Sequence, residues 1–263
     1  MTDSPGRTDK PHPHVLPDPQ ALLDDIDWAS LATACGTGES LPAALALIID
    51  PDPAVRAAAT HDALREVTHQ NSIYEATAPV ARYVAAILNH PAIAADDSDT
   101  PPRRPTLVRL LKWLSDTAYD ADDEIVAIGE HQVPGFLDDY WEMRAFRDLR
   151  PTIFSAVHPL LGHDNEDVRD AALIAAIPLA EHPALTEHRT ELVGHAHRLL
   201  ATSTDRHNRD RVLDAMKAWG YATRALENAT DIAARERYAR LKAERDSWWA
   251  PDGTGGYSEE PPF

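Results

Sequence analysis

The stretch Asp52-Pro53-Ala54-Val55-Arg56-Ala57-Ala58-Ala59 decides the fold, because it comes back. At a constant offset of 113 residues stands Asn165-Glu166-Asp167-Val168-Arg169-Asp170-Ala171-Ala172. Outward from it, Leu47-Ile48 answers Leu160-Leu161, Leu64 answers Ile177, and His69 answers His182. Self-similarity at fixed spacing marks stacked structural repeats. Each copy reads as a helix start. Asp52 can accept hydrogen bonds from the free amides of a first turn, and Pro53 suits the first helical position. The valine enters a core, the small alanines let neighbouring helices approach, and Arg56 and Arg169 are placed to reach turn carboxylates or carbonyls of an adjacent repeat.

Composition bounds the rest. The 263 residues, 43% of them hydrophobic, can bury a sizeable core as one elongated domain or two small ones. No uninterrupted apolar run approaches the roughly 18 to 20 residues that cross a bilayer, and the polar, proline-rich start has no apolar signal region. The single cysteine, Cys35, excludes an internal disulfide framework and reads as a small residue near a loop. A cytoplasmic protein fits these features. The net charge of −18 is unevenly spread: residues 1–197 carry 14 basic and 32 acidic side chains, residues 198–246 carry 11 and 8. Such a surface repels phosphate backbones and favours basic partners, and it also keeps a protein monodisperse.

Helical periodicity dominates the chain. Leu22, Leu23, Ile26 and Leu31 predict a helix over 20–34 behind Asp18 and Pro19. A short apolar helix over 41–49 and its partner over 54–68 follow, with Val55, Ala58, Ala59, Leu64 and Val67 inward. Ser72 and Glu75 read as a capping box opening the next helix. Residues 95–105 read as a mobile loop. Leu107, Leu110, Leu111 and Leu114 form the core stripe of a helix over 106–118, and residues 119–135 read as irregular. Helices over 136–147, 150–161 and 164–180 come next, the last kinked or shortened by Pro178. Helices over 187–201, 207–220 and 222–247 finish the chain, and nothing alternates with period two, so no sheet is expected. Residues 1–19 and 250–263 read as disordered arm and tail around one structured stretch, 20–249. Trp248 and Trp249 are placed to pin the last helix.

A helix, an Asp-rich turn, then Val-Arg-x-Ala-Ala opening the next helix resembles a HEAT repeat. The stretch His69-Gln70-Asn71-Ser72-Ile73-Tyr74-Glu75-Ala76-Thr77-Ala78-Pro79 is similar to a segment of actinomycete HEAT-repeat proteins. The resemblance covers roughly residues 40–220. It implies an all-α fold, a HEAT-like α-solenoid of antiparallel helix pairs wound into a right-handed superhelix, presenting a long surface to partners. Residues 70–150 depart from the pattern: they lack the Val-Arg step and carry the acidic loops. Insertions in solenoids gather on one face, so function is expected there.

Among HEAT-like enzymes, di-iron hydroxylases use adjacent His and Glu ligands, and DNA glycosylases grip duplexes with cationic surfaces. The pairs Glu130-His131, Glu181-His182 and Glu187-His188 stand in reversed order, and adjacent helical residues diverge by about 100°. Trp113 with Asp116 sits in the most acidic part of the chain, where a duplex is repelled. The arginines of 222–247 are interleaved with acids and read as ion pairs on a solvated helix. No phosphate-cradling glycine loop, paired-cysteine motif or nucleophile elbow is present. The expectation is therefore a non-catalytic scaffold or adaptor with no cofactor, no metal, no nucleic acid and no membrane contact. The expected contact residues are Trp113, Asp116, Tyr119, Asp120, Asp122, Asp123 and Glu124, facing a basic protein. The alternative is an immunity protein that neutralises a basic, nuclease-type toxin.

Overall fold

The computed structural model describes residues 16–94 and 105–248. Residues 1–15 of the expected arm, the loop over 95–105 save its last residue, the tail and Trp249 lie outside them, as does the side chain of Trp248, while Asp18 and Pro19, the end of the expected arm, are ordered as the cap and first residue of a helix. The chain divides into two compact units, one up to His195 and one from Ala196 onward. Both are built from helices.

Helix starts obey local chemistry. In α1 (Pro19–Asp24), Asp18 accepts from the amides of Gln20 and Ala21 at 2.9 and 3.4 Å. The helix stops ten residues short of the expected end. Acids at Asp24, Asp25 and Asp27 oppose the negative C-terminal dipole, and the Trp28 indole donates to the Leu23 carbonyl at 3.0 Å. A 3-10 turn at Trp28–Ser30 follows, and then a two-residue antiparallel pair, β1 (Ala32–Thr33) with β2 (Gly36–Thr37), which corrects the expectation of no sheet. Then come α2 (Leu41–Ala46) and α3 (Pro53–Glu66), with Asp52 capping α3 through the Ala54 amide at 2.8 Å.

The expected capping box at Ser72 and Glu75 is absent. Gln70 and Asn71 both have positive φ, 50° and 60°, in a tight turn closed by the Ser72 amide on the His69 carbonyl at 3.0 Å. Glu75 instead accepts from the Ala32 amide at 2.7 Å. The helix that follows, α4 (Thr77–Ile87), is started by Thr77, whose hydroxyl accepts from the Tyr74 amide and donates to the Val67 carbonyl. After α5 (Pro91–Ala94) comes α6 (Thr106–Tyr119), which buries Leu107, Leu110, Leu111 and Leu114 as expected.

Residues 119–135 are not irregular. They hold α7 (Asp123–Gln132), because Asp122 caps it through the Ile125 amide at 2.8 Å, and Asp123 and Glu124 suit the positive end of the helix dipole. The expected helix over 136–147 is split into α8 (Phe136–Asp139) and α9 (Trp141–Asp148) at Tyr140. The Tyr140 hydroxyl accepts from the Ile73 amide at 3.0 Å and donates to the Ile73 carbonyl at 2.8 Å. Next are α10 (Arg150–Val157) and α11 (Glu166–Leu179), the latter ending one residue after Pro178.

In the first unit, α3 packs on α6 and α6 on α11, while α1 packs on α4 and α4 on α10. The α6–α11 pair has the most extensive contact of these. Ala172, Ala175 and Ala176 are buried in α11, and the Ser115 hydroxyl of α6 donates to the Ile174 carbonyl. Helix α12 (Arg189–Thr202) carries the boundary between the units. In the second unit, α13 (Arg206–Ala218) packs on α14 (Ala229–Trp248). There Arg209 and Asp231, both buried, form a two-pronged ion pair at 2.6–3.2 Å, and Arg209 also donates to the carbonyls of Leu200, Ser203 and Leu226.

Candidate functional site

The turn before α7 gathers charge. Arg150, 1% exposed at the start of α10, donates to the Ala121 carbonyl at 2.6 Å and to Glu181 at 3.2 Å. Arg147 of α9 donates to the same carbonyl at 2.5 Å and pairs with Asp123 at 2.5 Å. Glu181 in turn accepts from the Asp123 amide at 3.0 Å. Burial pushes the Glu181 carboxyl up to about 7 against the pull of Arg150, and the charges of Asp123 and Asp122 add to the rise. Burial, with the neighbouring Arg147 charge, draws the Arg150 guanidinium down. His182 is likewise lowered by burial and then by Arg150.

These bonds hold α7 by its start, and α8 packs against it at Gly129. None of its residues is buried. Ile125 and Ile128, one turn apart, are 39% and 49% exposed, and Val133 and Trp141 beyond the helix are 50% and 48% exposed. Asp122, Asp123, Glu124, Asp138 and Asp139 surround them in sequence, all but Asp122 exposed. The tie to α8 needs a glycine, since a Cβ on Gly129 would lie 2.5–2.6 Å from the Phe136 ring. Gly135, at φ 81°, makes the turn between them, and Glu130 accepts from the amides of Gly135 and Leu137.

The expected contact residues divide among several tasks. Trp113 is 8% exposed and its indole donates to the Thr68 hydroxyl at 2.7 Å. It lines a shallow groove of about 260 Å³ with Arg65 and Arg109. Asp116 pairs with Lys112 at 2.6 Å, while Tyr119 and Asp120 are half-buried. Asp122 is the cap, Asp123 is the partner of Arg147, and Glu124 stands exposed in the first turn of α7. Sequence reasoning missed Ile125, Ile128, Val133 and Trp141. Their signal was there: two apolar residues three apart directly after an acidic cap.

Of the Glu-His pairs, Glu130 serves the α8 turn and Glu181 serves Arg150. The ring of His182 accepts from the Ala184 amide at 3.2 Å. His188 alone comes near further ligand types, standing with His158 and Glu191. The Glu191 carboxyl is held below the usual range by its hydrogen bond with His158, against the effect of burial, with His188 and His195 adding to the fall. No helix among the described residues is long and apolar enough to cross a membrane. Set against known protein families, curated proteins and solved structures, the chain matches none.

Proposed function

We propose that this chain is a HEAT-like α-solenoid that acts without catalysis, binding a basic protein through the α7–α9 segment. The observation that carries the reading is the apolar face of α7. A short helix draws its stability from burying one side, yet α7 leaves Ile125 and Ile128 in solvent. A partner that covers them and meets the surrounding carboxylates has an apolar centre and a basic rim, the usual anatomy of an interface.

The repeat reading rests on a recurring device. Arg56, Arg169 and Arg209 each stand four residues after a cap, at Asp52, Asn165 and Asp205. Each donates to the carbonyl two residues before its cap: Asp50 at 2.8 Å, His163 at 2.8 Å and Ser203 at 3.3 Å. Alternate helices also contact one another in two series, as they do in stacked pairs.

The test is capture from the source cells on the full chain, read by cross-linking and mass spectrometry. Basic proteins cross-linked near α7 are expected with the wild type, lost in Ile128→Asp combined with Trp141→Ala, and retained in Leu47→Asp, an exposed apolar residue elsewhere. A nuclease toxin among them selects the immunity reading. Capture that ignores the α7 changes sinks the proposal.

A further inference from the structure

A second cluster lies apart from α7. His158 opens the 3-10 turn after α10, His188 closes the 3-10 turn before α12, and Glu191 sits in the first turn of α12. Nε2 of His158 is 2.9 Å from Glu191 Oε2, and Nδ1 of His188 is 3.7 Å from the same oxygen. One ligand atom from each of the three residues falls within 4.8 Å of the others. Both imidazoles lean on one buried ring: Phe154 lies 5.3 Å from His158 and 4.7 Å from His188, and the two histidines are 5.3 Å apart. The rings are thus held in place by packing while their nitrogens turn toward one carboxylate.

We propose that His158, His188 and Glu191 bind a first-row divalent transition-metal ion of the Zn2+ class. Two neutral imidazoles and one carboxylate are a borderline donor set, suited to Zn2+ or Co2+ and poorly suited to Ca2+ or Mg2+. Ligand atoms about 2.0–2.1 Å from a tetrahedral Zn2+ stand about 3.3 Å apart. The two spacings to Glu191, 2.9 and 3.7 Å, bracket that value and the spacing between the two imidazole nitrogens lies within 4.8 Å, so side-chain rotation on the order of an ångström completes the site. All three side chains are partly exposed, which leaves the ion an entry path and a fourth position for water. His195, one turn beyond Glu191, stands near enough to influence its carboxylate. The strongly negative chain also concentrates cations around itself. Bound there, the ion ties the end of α10 to the start of α12.

The experiment is titration of the full-length protein with Co2+, followed by its d–d absorption, and with Zn2+ by competition against a chromophoric chelator. The expected result is one ion per chain with a Kd on the order of 1 µM, tetrahedral Co2+ bands, and a Zn2+-dependent rise in Tm. His158→Ala, His188→Ala and Glu191→Gln are each expected to weaken binding by more than about 100-fold, since even outer-shell partners are worth about 10- to 100-fold. His197→Ala, an exposed histidine further along α12, is expected to bind as the wild type does. Circular dichroism of each ion-free variant verifies its fold. No saturable binding overturns the proposal. Binding of wild-type strength in the three ligand variants does so too, since the ion then sits elsewhere.

Discussion

Arginine at the fourth position after a helix cap does what no other residue can do there. Its planar fork donates from one nitrogen to two successive carbonyls, as Arg56 does to Asp50 and Pro51 and Arg169 does to His163 and Asp164. Those carbonyls belong to the turn just ahead of the arginine's own helix, where the sequence had suggested an adjacent repeat. The reason is reach: the side chain folds back along its own first turn. Arg56→Met strands these carbonyls and is expected to cost about 2 kcal/mol, with Arg56→Lys recovering only part of it. The midpoint of urea unfolding at constant slope measures this, and an unchanged midpoint refutes it. Gln70 and Asn71 carry strain of another kind, since positive φ disfavours a side chain. Gln70→Gly is expected to raise stability by about 0.5–1 kcal/mol, the relief exceeding the entropy that glycine adds to the unfolded chain. A fall in Tm contradicts it.

At the scale of elements, α7 shows why an acidic run is a poor sign of disorder. Asp122, Asp123 and Glu124 are what a helix start requires, serving the cap, the pairing with Arg147 and the dipole while Asp123 and Glu124 stay exposed. The helix α7 also lacks an arginine at the fourth position after its cap, where Val126 stands. Arg147 and Arg150 supply that bond from α9 and α10, on the Ala121 carbonyl. Glu181 closes the arrangement, and its raised pKa has a consequence. A carboxyl that holds its proton more tightly in the folded state than in the unfolded one favours folding on acidification. That stability is complete below the ordinary carboxyl value of 4.5 and is lost as pH rises through about 7. Glu181→Gln is expected to flatten the pH dependence of Tm between pH 4.5 and 7. An unaltered pH profile rules the account out.

Over the whole molecule, the two compact units rest on different chemistry. The first is an apolar core of helices, while the second is centred on a buried ion pair, Arg209 with Asp231. Removing one partner of such a pair leaves an uncompensated buried charge, so Asp231→Ala is expected to cost about 3–5 kcal/mol. Hydrogen exchange is expected to place the loss of protection in α13 and the start of α14, and uniform loss throughout the chain would contradict it. By itself the sequence determined that the chain is mostly helical, where most helices begin, and that one capped arginine motif recurs. Those features are local, set by caps, prolines and apolar spacing within a turn or two. The tertiary structure alone decided which residues meet. Arg150 with Glu181 and His158 with Glu191 are 31 and 33 residues apart, and no periodicity announces such pairs. It also decided that Trp113 turns inward and Ile128 outward, because burial depends on which helix packs alongside, and only α7 was left with none of its residues fully buried among the helices of eight or more described residues in the first unit.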